Sequence, residues 1–170
     1  MKWIGALLII SITTWIGFEW SNKLNKRPAQ IRQFKNALQI LEAEMLYSQL
    51  PLQAVFNTIS KQIPEPIRSF FHELSKSMEA NNIDLLNLWD EHINELLKRS
   101  SLGSNESEIL KQFGRTLGQH DYIQQQKHIQ LTTAHLDREL EDARDNQTRY
   151  GKTAKSLGFL CGLFIVLLLI

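Results

Sequence analysis

The chain has 170 residues, 43% hydrophobic and 22% charged, with 19 basic and 18 acidic side chains for a net charge of +1. That length suits one domain, the near-zero charge gives no electrostatic footprint for nucleic acid, and a single cysteine excludes an intrachain disulfide framework or a cysteine-rich zinc site. The averages hide an uneven distribution, because residues 3–18 and 157–170 carry no charged side chain, whereas all 18 acids and every base except Lys2 lie in residues 19–155.

The first apolar stretch, counted from Trp3 to Trp20, covers roughly 27 Å as a helix at 1.5 Å per residue. That length just suffices for a hydrocarbon core, and tryptophan at both limits fits the aromatic belts of a bilayer. A cleaved signal peptide is the rival reading, with Lys2 as its basic start. No convincing small-x-small cleavage site follows, since Glu19 and Trp20 come directly after the apolar run. The stretch therefore reads as a retained membrane anchor. Directly after it stand Lys23, Lys26, Arg27, Arg32 and Lys35. These five are candidate contacts to anionic lipid head groups, at about 1 kcal/mol for each base near the surface, and they equally serve as a topological stop signal.

Between the anchors every periodic stretch reads as helix. Pro28 suits a first helical position, and Ile31, Phe34, Leu38, Leu41 and Met45 form one stripe of a helix that ends before Pro51. Leu52, Val55, Phe56 and Ile59 mark a second helix stopped by Pro64 and Pro66. Ile67, Phe70, Phe71, Leu74 and Met78 mark a third, and Leu86, Trp89, Ile93 and Leu96 a fourth after the Asn81-Asn82 break. Asn105 with Glu108 resembles a capping box for a fifth helix carrying Ile109, Leu110, Phe113 and Leu117, closed by Gly118. Asp121 caps a sixth with no proline or glycine before Gly151. Its apolar residues Tyr122, Ile129, Leu136, Ala143 and Tyr150 recur every seven positions, a seam narrower than an ordinary core face. No alternating β pattern occurs, so the expected fold is all-α, a bundle of about six helices flanked by N- and C-terminal transmembrane helices.

The last stretch, residues 157–170, is short enough for a buried core helix but has no polar face. Lys152 and Lys155 can snorkel to the interface beside Tyr150, so a second membrane segment is the expectation. Gly158 and Gly162 form a Gly-x-x-x-Gly pair that allows close packing of transmembrane helices, and Cys161 lies inside the apolar run. Basic residues collect on the inner side of both segments, which places the central domain in the cytoplasm and both termini outside. The expected division is a membrane segment over 1–20, a cytoplasmic bundle over 21–120, a long helix over 121–153 that completes the bundle and leads to the membrane, and a membrane segment over 154–170.

Chemistry-bearing motifs are missing from this pattern. No Gly-rich phosphate loop, dinucleotide fingerprint or nucleophile elbow is present. His128 and His135 share one side of the sixth helix with Thr132 and Glu139, but seven residues separate them, too far for a His-x-x-x-His metal pair without ligands from elsewhere. Acid pairs such as Glu42/Glu44 and Glu139/Glu141 point to different sides of a helix. The expectation is a non-enzymatic protein with no catalytic residue, metal or cofactor.

Five stretches then become informative together: residues 13–19 (TTWIGFE), 27–33 (RPAQIRQ), 110–118 (LKQFGRTLG), 124–129 (QQQKHI) and 155–160 (KSLGFL). With them the chain resembles the stage III sporulation protein AB family of endospore-forming bacteria. Residues 41–56 (LEAEMLYSQLPLQAVF) are also similar to the cytoplasmic domain of type II secretion system F proteins, an inner-membrane platform component. That platform family has two such domains and three membrane segments, against one domain and two segments read here, and no acidic cluster matches its metal site. The resemblance implies a sporulation protein in the mother-cell membrane, part of a secretion-like channel complex between mother cell and forespore. The implied partners are the complex's secretion-type ATPase and its other membrane proteins; the apolar ends and their flanking bases add membrane lipid, and the Gly158/Gly162 pair would allow a homo-oligomer. The alternative is a membrane-anchored sensor or adaptor that signals through helix dimers at Gly158 and Gly162.

Overall fold

The computed structural model describes the backbone of residues 2–48, 50–79, 84–118 and 121–169, and the side chains of residues 11–48, 50–79, 84–118, 121, 123–150, 160 and 164. Among the described residues there are six helices and no strand: α1 (Lys2–Tyr47), α2 (Leu52–Gln62), α3 (Ile67–Ser77), α4 (Leu85–Arg99), α5 (Ser104–Gly114) and α6 (Tyr122–Leu169). The all-helical expectation holds. The backbone divides into two compact units, one made of residues 1–28 with 142–170 and the other of residues 29–141.

Both long helices overrun a boundary that the sequence suggests. Pro28 does not start a helix but lies inside α1. An interior proline deletes one backbone donor and crowds the preceding turn, at a cost of ~3 kcal/mol. The residue stands where the two units divide. In the same way α6 runs through Gly151 to Leu169, so the sixth helix and the second apolar stretch are one element. Propensity is a weak prior, and one unfavourable residue does not by itself end a long helix.

The shorter helices end for local reasons. Pro51 precedes the first residue of α2, and Ile63 leaves the helix in an extended conformation immediately before Pro64. Asp84 caps α4 by accepting the Leu86 N–H at 3.1 Å. The start of α5 differs from the expected capping box. Gly103 is the cap, and its N–H donates to Glu106 Oε2 at 2.6 Å, so Glu106 rather than Glu108 does this work. The helix also stops earlier than Gly118, and tighter bonds from Thr116 N to Phe113 O (2.9 Å) and Leu117 N to Gly114 O (3.2 Å) carry the chain into a turn. Gly118 ends that turn at φ +72°, the left-handed region in which glycine carries no side-chain clash.

The unit of residues 29–141 holds an aromatic core to which each of the first five helices contributes. Phe34 (α1), Phe56 (α2), Phe70 and Phe71 (α3), Trp89 (α4) and Phe113 (α5) are all buried. Trp89 sits among them, with ring centroids 5.1 Å from Phe70, 5.8 Å from Phe113 and 6.1 Å from Phe56. Pairs of this kind are worth about 0.5–1.5 kcal/mol each beyond the area they bury. The indole N–H donates to Leu110 O at 2.8 Å, so the one polar atom of the cluster is satisfied. The first-helix stripe expected from the sequence is buried over Ile31, Phe34, Leu38 and Leu41, and α6 contributes Ile129, Leu136 and Leu140. Hydrogen bonding from Gln126 Nε2 to Glu42 Oε1 (2.8 Å) and an ion pair between Lys35 and Asp137 align α1 and α6 antiparallel.

In the other unit, Arg27 Nη1 donates to Asp142 Oδ2 at 3.2 Å and Gln147 Nε2 to Asn25 Oδ1 at 3.3 Å. Small residues Gly17 and Ser21 are buried here, together with Pro28, one turn or two apart on α1. Large apolar side chains point outward instead: Ile12, Trp15, Ile16, Phe18 and Trp20 on α1, and Leu160 and Phe164 on α6. Among the described residues no helix has a stretch long and apolar enough to cross a membrane. The side chains of residues 1–10 and most of 151–170, which make up much of both expected membrane segments, lie outside the described residues. So do those of Gly158, Cys161 and Gly162.

Candidate functional site

The helix order brings two sets of polar side chains around α5. On one side, α4 and α5 enclose an open groove of about 590 Å³. Asn94 and Leu97 of α4 form one wall, and Ser104, Glu108, Lys111 and Arg115 form the other. These four, three on α5 and Arg115 just past its end in helical conformation, recur at i, i+4, i+7 and i+11, which is one face of a helix. Leu110 and Phe113 face the opposite way into the core, so the charged row is pinned from behind. None of Glu108, Lys111 and Arg115 has an ion-pair partner within 4 Å among the described residues.

Two contacts hold this groove's framework. Gln30 of α1, itself buried, accepts the Ser101 N–H at 2.6 Å and so fixes the loop between α4 and α5. Arg99 at the end of α4 makes a two-pronged bond to Glu73 of α3, Nη1 to Oε1 at 2.9 Å and Nη2 to Oε2 at 2.6 Å. Hydrogen bonding from Arg99 holds the Glu73 carboxyl below its ordinary pKa, with the nearby charges of Arg99, His92 and His72 adding to the effect. The same carboxylate raises Arg99.

On its other side α5 meets α6 across a smaller cavity of about 110 Å³, lined by Phe113, Thr116, His128, Thr132 and His135 among others. The two histidines singled out in the sequence thus do share a cavity, although Glu139 bonds to Asn105 rather than joining them. Among the described residues no group of three His, Cys, Asp or Glu side chains is placed to hold a metal ion.

The basic residues after the first apolar stretch are parted by the fold. In the unit of residues 1–28 and 142–170, Lys23 and Lys26 are exposed while Arg27 bonds to Asp142. In the unit of residues 29–141, Arg32 is exposed and Lys35 pairs with Asp137. Sequence reasoning missed the groove. Its signal was present in the spacing of Glu108, Lys111 and Arg115, but which side of α5 faces solvent depends on where Trp89 and α4 lie.

Comparison with known proteins assigns the family. The family model for stage III sporulation protein AB matches residues 2–170. A stage III sporulation protein AB of Bacillus subtilis (strain 168) is 42% identical over 169 residues, covering 99% of each chain. A solved structure of a stage III sporulation protein AB superposes with a TM-score of 0.68 at 40% identity, covering 73% of this chain and 98% of its own. The described residues build helices around a charged groove, with large apolar side chains exposed on α1 and α6, and the chain belongs to the stage III sporulation protein AB family.

Proposed function

We propose that the chain is a membrane-anchored, non-catalytic platform in a secretion-like channel complex of sporulating cells. In this reading its bundle is cytoplasmic, its fold is of the type II secretion F-domain kind, and it couples a cytoplasmic secretion-type ATPase to the complex's other membrane proteins. One observation carries the membrane part. The two charge-free ends of the chain belong to one compact unit, and there the large apolar side chains are turned outward, with Trp15 75% and Phe164 65% exposed. Large apolar side chains exposed in this way are a liability in water and an asset in lipid. Exposed Lys23 and Lys26 follow the apolar run on α1, where anionic head groups would meet them. The coupling part draws its support from family membership and from the lack of nucleotide-binding motifs, which leaves nucleotide chemistry to a partner.

Topology is tested with single cysteines in a Cys161→Ser background and an impermeant maleimide. Glu79→Cys should be labelled only after the mother cell is opened; labelling of intact cells at that position refutes the orientation. Coupling is tested by co-purifying the full-length chain with the ATPase of the same complex in apo, ADP-bound and ATP-bound states. Recovery in none of the three states defeats the platform reading.

A further inference from the structure

We infer that the α4–α5 groove is a docking site for an acidic amphipathic helix of a protein partner. The inference stands apart from the ATPase reading, because it follows from the groove's own chemistry. Glu108, Lys111 and Arg115 form a row of one negative and two positive charges along α5 and its C-cap, at spacings of three and four residues. The helix beneath this row is immobilised by buried Leu110 and Phe113. Nearby bases of the same bundle are already used, Lys98 by Glu95 at 2.6 Å and Arg99 by Glu73. Lys111 and Arg115 alone line the groove as cations, and both lack a partner within 4 Å among the described residues.

A helix C-terminus favours cations, which explains why bases are tolerated at the end of α5. That dipole interaction does not use the donors of the two side chains, and it gives no reason for a groove of about 590 Å³ beside them. The lining also selects among anions. A phosphodiester chain would set a dense row of negative charge against Glu108, and Leu97 offers it nothing. A helix carrying two carboxylates opposite Lys111 and Arg115, a base opposite Glu108 and an apolar side chain toward Leu97 complements the charged and apolar parts of this lining. Helices at i, i+3 and i+4 spacing present such a combination on one face.

The test uses the full-length chain in detergent micelles and two fluorescein-labelled helical peptides. One carries Lys-x-x-Glu-x-x-x-Glu with leucine beside the glutamates, and the other carries the same residues in reverse order. Fluorescence anisotropy should show saturable binding of at least one peptide. Lys111→Glu with Arg115→Glu should weaken it about tenfold or more, since two exposed pairs are each turned into a repulsion. A peptide with lysines in place of the glutamates should regain binding to that variant. Gln112→Trp, which adds bulk at the exposed edge of the groove, should weaken binding without any change of charge. The proposal is overturned by absence of saturable binding to the unaltered chain, or by binding that the charge reversals leave unchanged. An equal loss from Lys61→Glu with Lys76→Glu overturns it as well. So does tighter binding of inorganic phosphate or single-stranded RNA than of either peptide.

Discussion

Replacing Gly114 by alanine tests the core at its tightest point. A Cβ at this position would lie 2.2 Å from Trp89 Cδ1 and 2.7 Å from its Cγ and Nε1. The methyl group cannot be accepted where the indole stands, and the indole is held between Phe70, Phe56 and Phe113. Forcing an extra carbon into a packed core costs about 1–3 kcal/mol. If the indole shifts, its N–H also loses the Leu110 carbonyl, a buried bond whose loss costs about 1–3 kcal/mol more. Alanine in a helix returns about 0.5–1 kcal/mol relative to glycine, which is too little to reverse the sign. The net expectation is destabilisation by about 2–4 kcal/mol, or a fall in Tm on the order of 10 °C or more for a small domain. Thermal melts followed by circular dichroism measure this directly. A double-mutant cycle identifies the cause, because in a Trp89→Leu background the clashing ring is gone and the added cost of Gly114→Ala should shrink by at least ~1 kcal/mol. A Gly114→Ala melt that matches or exceeds that of the parent refutes the steric argument.

Further outcomes follow from other parts of the bundle. Gly118→Ala has room for its Cβ, whose nearest side-chain atom is 3.5 Å away, but must hold φ +72°, so a loss of about 1–2 kcal/mol is expected in denaturant titration, with Gly118→Asn milder. Gln30→Ala leaves the buried Ser101 N–H without its acceptor and should cost about 1–3 kcal/mol, with faster amide exchange at Ser101. Gln125 is fully buried with both amide atoms unpartnered by protein, so Gln125→Met should raise stability by about 1 kcal/mol, and a lowered Tm would show that the amide is satisfied. Because Glu73 is held below its ordinary pKa when folded, its contribution is present above the ordinary carboxylate range and disappears as pH falls through the lowered folded value. The stability gap between parent and Glu73→Gln should therefore be constant above about pH 6 and shrink toward about pH 3. With Glu73 38% and Arg99 46% exposed, solvent screening keeps that gap below about 1 kcal/mol.

Local pattern was enough to find each helix. The stripes Ile31–Phe34–Leu38–Leu41, Val55–Phe56–Ile59 and Ile67–Phe70–Phe71–Leu74 are buried as their spacing implies, because side chains three and four apart on a helix must share one face. Helix stops were less legible. Pro28 and Gly151 carry strong local signals for a boundary, yet both lie inside long helices, because local propensity is a weak prior. The same limit hid the cap at Gly103, where Glu106 and not Glu108 turns back to the helix start.

Charge is legible in the sequence as a distribution but only partly as chemistry. The sequence alone set apart two uncharged ends from a polar middle, because composition along the chain needs no partner to be visible. Five bases after the first apolar run look equivalent in one dimension. Only the antiparallel pairing of α1 with α6 assigns Arg27 to Asp142 and Lys35 to Asp137, and leaves Lys23, Lys26 and Arg32 exposed. Likewise, nothing local makes Gly114 irreplaceable or turns Glu108, Lys111 and Arg115 into one wall of a groove. Trp89 and α4 do that, and they reach α5 only when the chain has folded.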